Sequence, residues 1–186
     1  MRELSLHILD LIENSIRAQA SIIAVRVAAL PEEDLLTIVV EDNGNGLKVP
    51  AEQVLNPFYT TKNGKRTGLG LSLFKAAAEQ AGGRLTLGKS ALGTARHAGL
   101  KVTVEMVLRH VDRNPLGDLA GTLASVVCTN PDVDFRFDLQ LDSRACAIRA
   151  RDLAAQLGVD PQDGLALARG VRARVAGELG SSGVFI

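Results

Sequence analysis

Glu3, His7, Asp10, Asn14 and Arg17 recur at three- and four-residue spacing, and on a helix turning 100° per residue they fall within an arc of roughly 80°. That stripe gathers carboxylates, an amide and a guanidinium, although the solvated face of a surface helix has the same composition. A second group begins where Leu35–Val40 runs into Glu41, Asp42, Asn43, Gly44, Asn45 and Gly46. Asp42 could accept a hydrogen bond from an exocyclic amine while Gly44 and Gly46 let the backbone lie against a flat ring. A plain Asn-Gly turn uses the same letters. A third group runs from Asn56 through Pro57, Phe58, Tyr59, Thr60, Thr61 and Lys62, past Lys65 and Arg66, to Gly68, Leu69, Gly70 and Leu71 at the start of a helix. Three cations beside backbone amides at a helix N-terminus make a phosphate site; read alone, the run is also an ordinary loop.

The elements that must position these groups are legible from periodicity. Leu4, Ile8, Leu9, Leu11, Ile12 and Ile16 predict an amphipathic helix over Glu3–Ala18. The β-branched runs Ile22–Ala28 and Leu35–Val40 flank a polar turn with Pro31 and predict a hairpin. Residues 41–70 read as a long structured loop with a short helix near Ala51–Leu55. A helix is expected over Leu71–Gln80, stopped by Gly82 and Gly83, then strands at Arg84–Leu87 and Lys101–Leu108. Beyond Arg109 the pattern predicts a helix over Leu119–Val127, strands at Asp134–Leu141 and Ala145–Ala150, and helices within Arg151–Leu157 and Gln162–Leu179. Gly180–Gly183 is expected to fray.

Composition argues against several classes, a DNA-linked ATPase among them. Acidic and basic residues balance at 21 each, with no Trp and one Tyr, so neither a basic stripe nor an aromatic stacking platform is supplied for nucleic acid. No uninterrupted apolar stretch is long enough to span a bilayer, and the start of the chain has no signal-peptide block, so the expected residence is cytoplasmic. Cys128 and Cys146 lack metal-ligand spacing and are expected to be buried reduced thiols.

Taken together, the order and spacing of the groups resemble the four ATP-site motifs of the GHKL superfamily, which joins DNA gyrase, heat-shock chaperone ATPases, histidine kinases and mismatch-repair ATPases. Asp10-Leu11-Ile12-Glu13-Asn14-Ser15 resembles the N-box, Asp42-x-Gly44-x-Gly46 the G1 box, Pro57-Phe58-Tyr59-Thr60-Thr61-Lys62 the F-box, and Gly68-x-Gly70-Leu71 the G2 box. The resemblance covers about Leu4–Leu108 and implies a Bergerat fold, a two-layer α+β sandwich whose mixed sheet is covered on one face by helices. It implies an ATP-binding domain over residues 1–108, followed by a small α+β extension over 109–186. In it Asn14 would give its amide oxygen to Mg²⁺ and Asp42 would read the adenine amine. Arg17, Lys62 and the backbone amides of Gly68, Leu69, Gly70 and Leu71 would hold phosphates, with Gly44, Gly46, Phe58 and Thr61 completing the nucleotide site. Asp10 stands only about 40° from Asn14 where Glu13 stands 100° away, so Asp10 takes the general-base position in that scheme. An aspartate is one methylene shorter than the usual glutamate, so slow turnover is expected.

Three features depart from the family pattern. No phosphoacceptor hairpin precedes the N-box helix, so self-contained histidine autophosphorylation is not expected. The lid between Lys62 and Gly68 is short. The Gly-Thr pair before the last strand has two partial counterparts, Gly93-Thr94 and Gly99-Leu100. The expected activity is Mg²⁺-dependent ATP binding with slow hydrolysis, as a regulatory ATPase or switch acting on a protein partner, with a homodimer also compatible. The alternative is a protein kinase acting in trans, like an anti-sigma-factor serine kinase or a histidine kinase lacking its own phosphoacceptor domain. The run His110–Asp118 resembles that of a small group of stand-alone bacterial proteins with the same ATP domain and reads most simply as a turn held by hydrogen bonds.

Overall fold

A computed structural model of the chain describes residues 3–55 and 70–183. Helix α1 (Leu4–Arg17) buries Leu4, Ile8, Leu11 and Ile12, the apolar face its periodicity specifies. Glu3 makes no side-chain cap. The first free N–H groups of the helix are instead satisfied from the distal half of the chain, Leu4 N donating to Pro115 O and Ser5 N to Leu116 O, both at 2.9 Å. The hairpin β1 (Ile22–Leu30) and β2 (Leu35–Asp42) follows, in register from Ile23↔Asp42 to Leu30↔Leu35. Next come α2 (Ala51–Val54), α3 (Gly70–Gln80), β3 (Arg84–Gly88) and β4 (Leu100–Val107). The chain continues through α4 (Leu119–Thr129), β5 (Asp134–Leu141), β6 (Arg144–Arg149), α5 (Ala150–Leu157) and α6 (Gly164–Ser182).

The six strands form one sheet in the order β3-β4-β2-β1-β5-β6. Every neighbouring pair is antiparallel except β1 and β5, which makes the sheet mixed. Alternation along each strand sends Ile23, Val25 and Val27, Leu36, Ile38 and Val40, Val102, Val104 and Met106, and Phe135, Phe137 and Leu139 to the buried face. The helices cover that face, and the opposite face carries polar residues such as Arg26, Thr103 and Gln140. The two-layer α+β architecture is therefore the one expected.

The boundary expected after Leu108 falls in the turn that leads from β4 to α4, and both sides of it share one sheet and one core. β5 pairs with β1 along its whole length, and Leu119, Leu123, Phe135 and Phe137 join the same apolar cluster as Leu4, Ile8 and Phe74. The run His110–Asp118 is a hydrogen-bonded turn. Arg113 Nε donates to Leu108 O, Asp112 N to the His110 ring, and Asp118 Oδ1 caps α4 by accepting from Gly121 N at 2.7 Å. Two expectations need correction. Cys128 and Cys146 are free but only half-buried. Gly180–Ser182 is part of a helix: α6 runs to Ser182, whose hydroxyl bonds back to Leu179 O at 2.9 Å.

Candidate functional site

The stripe on α1 does not simply face solvent, because α3 packs along one flank of it. His7 is 2% exposed, with its ring stacked on Phe74 at 4.6 Å between centroids and 10° between planes. Neither of its ring nitrogens has a hydrogen-bond partner among the described residues, and burial pushes the imidazole from 6.5 down to about 4. One turn further along, Asp10 meets the first residue of α3. A Cβ on Gly70 would lie 1.4 Å from Asp10 Oδ2, so glycine is the one residue type that lets this carboxylate stand against the start of the helix. Asn14 Nδ2 donates to the same Oδ2 at 3.4 Å, and Asn14 Oδ1 accepts from Arg17 Nη2 at 2.6 Å. Arg17 also pairs with Glu13 at 3.5 Å, in an exposed i,i+4 bridge worth about 0–1 kcal/mol. Asp10, Asn14 and Arg17 thus form a continuous polar line that ends at Gly70.

Asp42 closes the sheet end of the site. It is 3% exposed, and each of its carboxylate oxygens is engaged. Oδ1 accepts from Gly44 N at 2.8 Å and Leu100 N at 3.3 Å, and Oδ2 accepts from Ser15 Oγ at 2.7 Å. Gly44 and Gly46 are pressed against the protein's own backbone. A Cβ on Gly44 would lie 2.7 Å from Ala18 O, and Gly46 adopts a φ of +69° with its Cβ position 3.0 Å from Gly99 O. The question of which Gly-Thr counterpart adjoins Asp42 is answered by Gly99-Leu100. Thr94 Oγ1 is occupied within its own turn by Arg96 N and His97 N.

Sequence reasoning assigned no role to several of these partners. Ser15 supplies the hydroxyl that touches Asp42, and its signal was present: it follows Asn14 by one helical step, 100° off the stripe and toward the sheet. The segment between β3 and β4 is tied to the end of β2 and the turn after it by three hydrogen bonds that periodicity does not report. His97 Nδ1 lies 2.8 Å from Asn45 Oδ1, and Glu41 Oε1 accepts from Ser90 Oγ at 3.1 Å and from Ala91 N. Leu71 has its side chain in the core at 8% exposure, so only its backbone can serve an anion. Phe58, Thr61, Lys62, Gly68 and Leu69, together with the expected lid, lie outside the described residues.

The mixed sheet with helices on one face thus brings together a buried carboxylate at a strand end and an amide-bearing helix stripe that meets a second helix at a glycine. The model of the family described as histidine kinase-, DNA gyrase B- and HSP90-like ATPase matches residues 2–110, and the chain belongs to that family. A sensor kinase CckA from Brucella abortus (strain 2308) is 46% identical over 56 residues, 29% of this chain and 6% of that kinase, so the chain spans only a small part of this relative. Among solved structures, the N-terminal domain of a DNA repair protein aligns with a TM-score of 0.52 at 15% identity, over 81% of this chain and 52% of that one. The MutL ATPase domain of Aquifex aeolicus, complexed with ADP, aligns with a TM-score of 0.50 at 15% identity, over 86% and 70%. At that identity the likeness is one of fold. Because the family model stops at residue 110, likeness over more than four-fifths of the chain also takes in part of the region after Arg109. Among the described residues no helix is long and apolar enough to cross a membrane.

Proposed function

We propose that the chain binds Mg·ATP between α1 and the start of α3, with Asp42 reading the adenine amine, and hydrolyses it slowly as a nucleotide switch for a protein partner. The observation that carries this reading is the convergence of the Asp10–Asn14–Arg17 line on Gly70, with the buried Asp42 carboxylate at the adjoining strand end. The donor set suits Mg²⁺ held mainly by phosphates and water: Asn14 Oδ1 and the Asp10 carboxylate are oxygen donors one helical turn apart, and among the described residues no cluster of three or more His, Cys, Asp or Glu side chains could hold a metal by itself. Mg²⁺ would neutralise phosphate charge there. Arg17 occupies Asn14 Oδ1 through an exposed contact, and it is free to exchange that contact for a phosphate oxygen at little cost. Asp10 would take a proton from an attacking water, a role supported by its position between Asn14 and Gly70.

Calorimetry with ATP and Mg²⁺ tests the reading. Wild-type protein should bind, Asp42→Ala should lose about tenfold or more in affinity, and Asp10→Asn should keep binding while losing phosphate release. Absence of binding by the wild type would sink it. The matching segment of a sensor kinase favours a second reading, phosphoryl transfer in trans. Label from [γ-³²P]ATP appearing on a second protein, in place of free phosphate, would select it.

A further inference from the structure

Ser15 is 4% exposed and Asp42 3%, and their side chains meet at 2.7 Å across 27 residues of sequence. An ionised carboxylate is an acceptor only, with about four lone-pair positions. Among the described residues three of them are filled: Gly44 N and Leu100 N take both positions on Oδ1, and Ser15 takes one of the two on Oδ2. Ser15 has a single proton and two acceptors within reach, Leu11 O at 3.2 Å and Asp42 Oδ2 at 2.7 Å. The shorter, charge-assisted bond takes the proton. One acceptor position, on Oδ2, is therefore left open by the described residues, in a buried setting where an unmatched partner is costly.

We infer that Ser15 is a positioning residue for base selection: by occupying one lone pair of Asp42 Oδ2, it leaves the carboxylate a single acceptor position, which makes the pocket select a base bearing an exocyclic amine. This rests on the nucleotide reading above and deepens it. The helix supplies a second consequence. Ser15 follows Asn14 directly, so the group that orients the base-reading carboxylate and the amide directed to the phosphates stand one residue, about 1.5 Å of helix rise, apart on one rigid element. Without the hydroxyl, Oδ2 has two open positions and takes up water, and the carboxylate pairs with the amine no better than with solvent.

The test compares affinity for ATP with affinity for purine riboside triphosphate, the same molecule without its exocyclic amine, by calorimetry on the full chain. Wild type should prefer ATP by about tenfold to a hundredfold. Ser15→Ala should bring that ratio to within about threefold while leaving affinity for the purine analogue unchanged, and Ser15→Thr, which keeps the hydroxyl, should restore it. A merely structural role would weaken both ligands together and leave the ratio alone. If Ser15→Ala does not fold, Ser15→Cys, close in size but a weak donor, carries the same comparison. A ratio unchanged in the alanine or cysteine variant overturns the inference and leaves the nucleotide reading intact. A wild type that binds both ligands equally removes the amine-reading role of Asp42 and that of Ser15 with it, and a wild type that binds neither removes the nucleotide site itself.

Discussion

Two glycines at the site are required for different physical reasons, and substituting them should separate stability from chemistry. At Gly70 an added Cβ meets the end of one side chain, Asp10, which can rotate away. At Gly99 the backbone holds a φ of +62°, and a Cβ would lie 2.1 Å from Asp42 O, a main-chain atom that cannot move without breaking the sheet end. Gly70→Ala is therefore expected to change unfolding free energy by less than about 1 kcal/mol while slowing ATP turnover through the displaced Asp10. Gly99→Ala should cost about 2 kcal/mol or more. Urea titrations and single-turnover assays of the two variants check both statements. His7 makes a prediction about pH. Its folded pKa of about 4 lies below the usual 6.5, so between those values the unfolded chain binds a proton that the folded chain refuses. Stability from this group is complete above pH 6.5 and is lost as pH falls toward 4, by about 3 kcal/mol over the window, with no further loss below it. His7→Phe keeps the stack on Phe74 and should flatten that slope in melting experiments from pH 7.5 to 4.5.

At the scale of elements, α4 is the crossover that carries the chain from β4 to β5. Its start depends on Asp118, whose carboxylate accepts from Gly121 N. Removing the cap by Asp118→Ala should lower stability by about 1 kcal/mol with no change in nucleotide affinity, measured as a shift in urea midpoint at constant slope. Helix α1 is held differently. It has no side-chain cap of its own and depends on the carbonyls of Pro115 and Leu116, so the helix that bears Asp10, Asn14 and Ser15 takes its position from the segment that leads into α4. The polar line on α1 is thus anchored at one end by a distal turn and bordered on its flank by α3.

At the scale of the whole molecule, the region after Arg109 completes the sheet and the core. Removing it would strip β1 of its β5 partner and leave an open edge. It would also take away the burial of Leu119, Leu123, Phe135 and Phe137, each worth about 2–3 kcal/mol, against a typical total stability of about 5–15 kcal/mol. The fragment 1–108 is therefore expected not to fold alone. A dispersed amide spectrum from that fragment would show instead that the ATP-domain portion is independent.

Much of this protein was legible in its sequence, because the signals concerned are local. Apolar periodicity, β-branched runs and turn residues located every helix and strand described, since burial of one face and the demands of tight turns impose them on the chain. The four ordered motifs identified the fold class, and the helical phase of α1 put Asp10, Asn14 and Arg17 on one line. The remainder required tertiary structure, because it depends on pairs far apart in the chain. No local pattern reports that α3 buries His7 against Phe74, that Asp10 stands where a side chain on Gly70 would lie, or that β5 docks beside β1 and makes two apparent units share one sheet. The contact of Ser15 with Asp42 is of the same kind: the helix repeat gave the serine its direction, but only the packing of α1 on β2 brought a hydroxyl within 2.7 Å of the carboxylate.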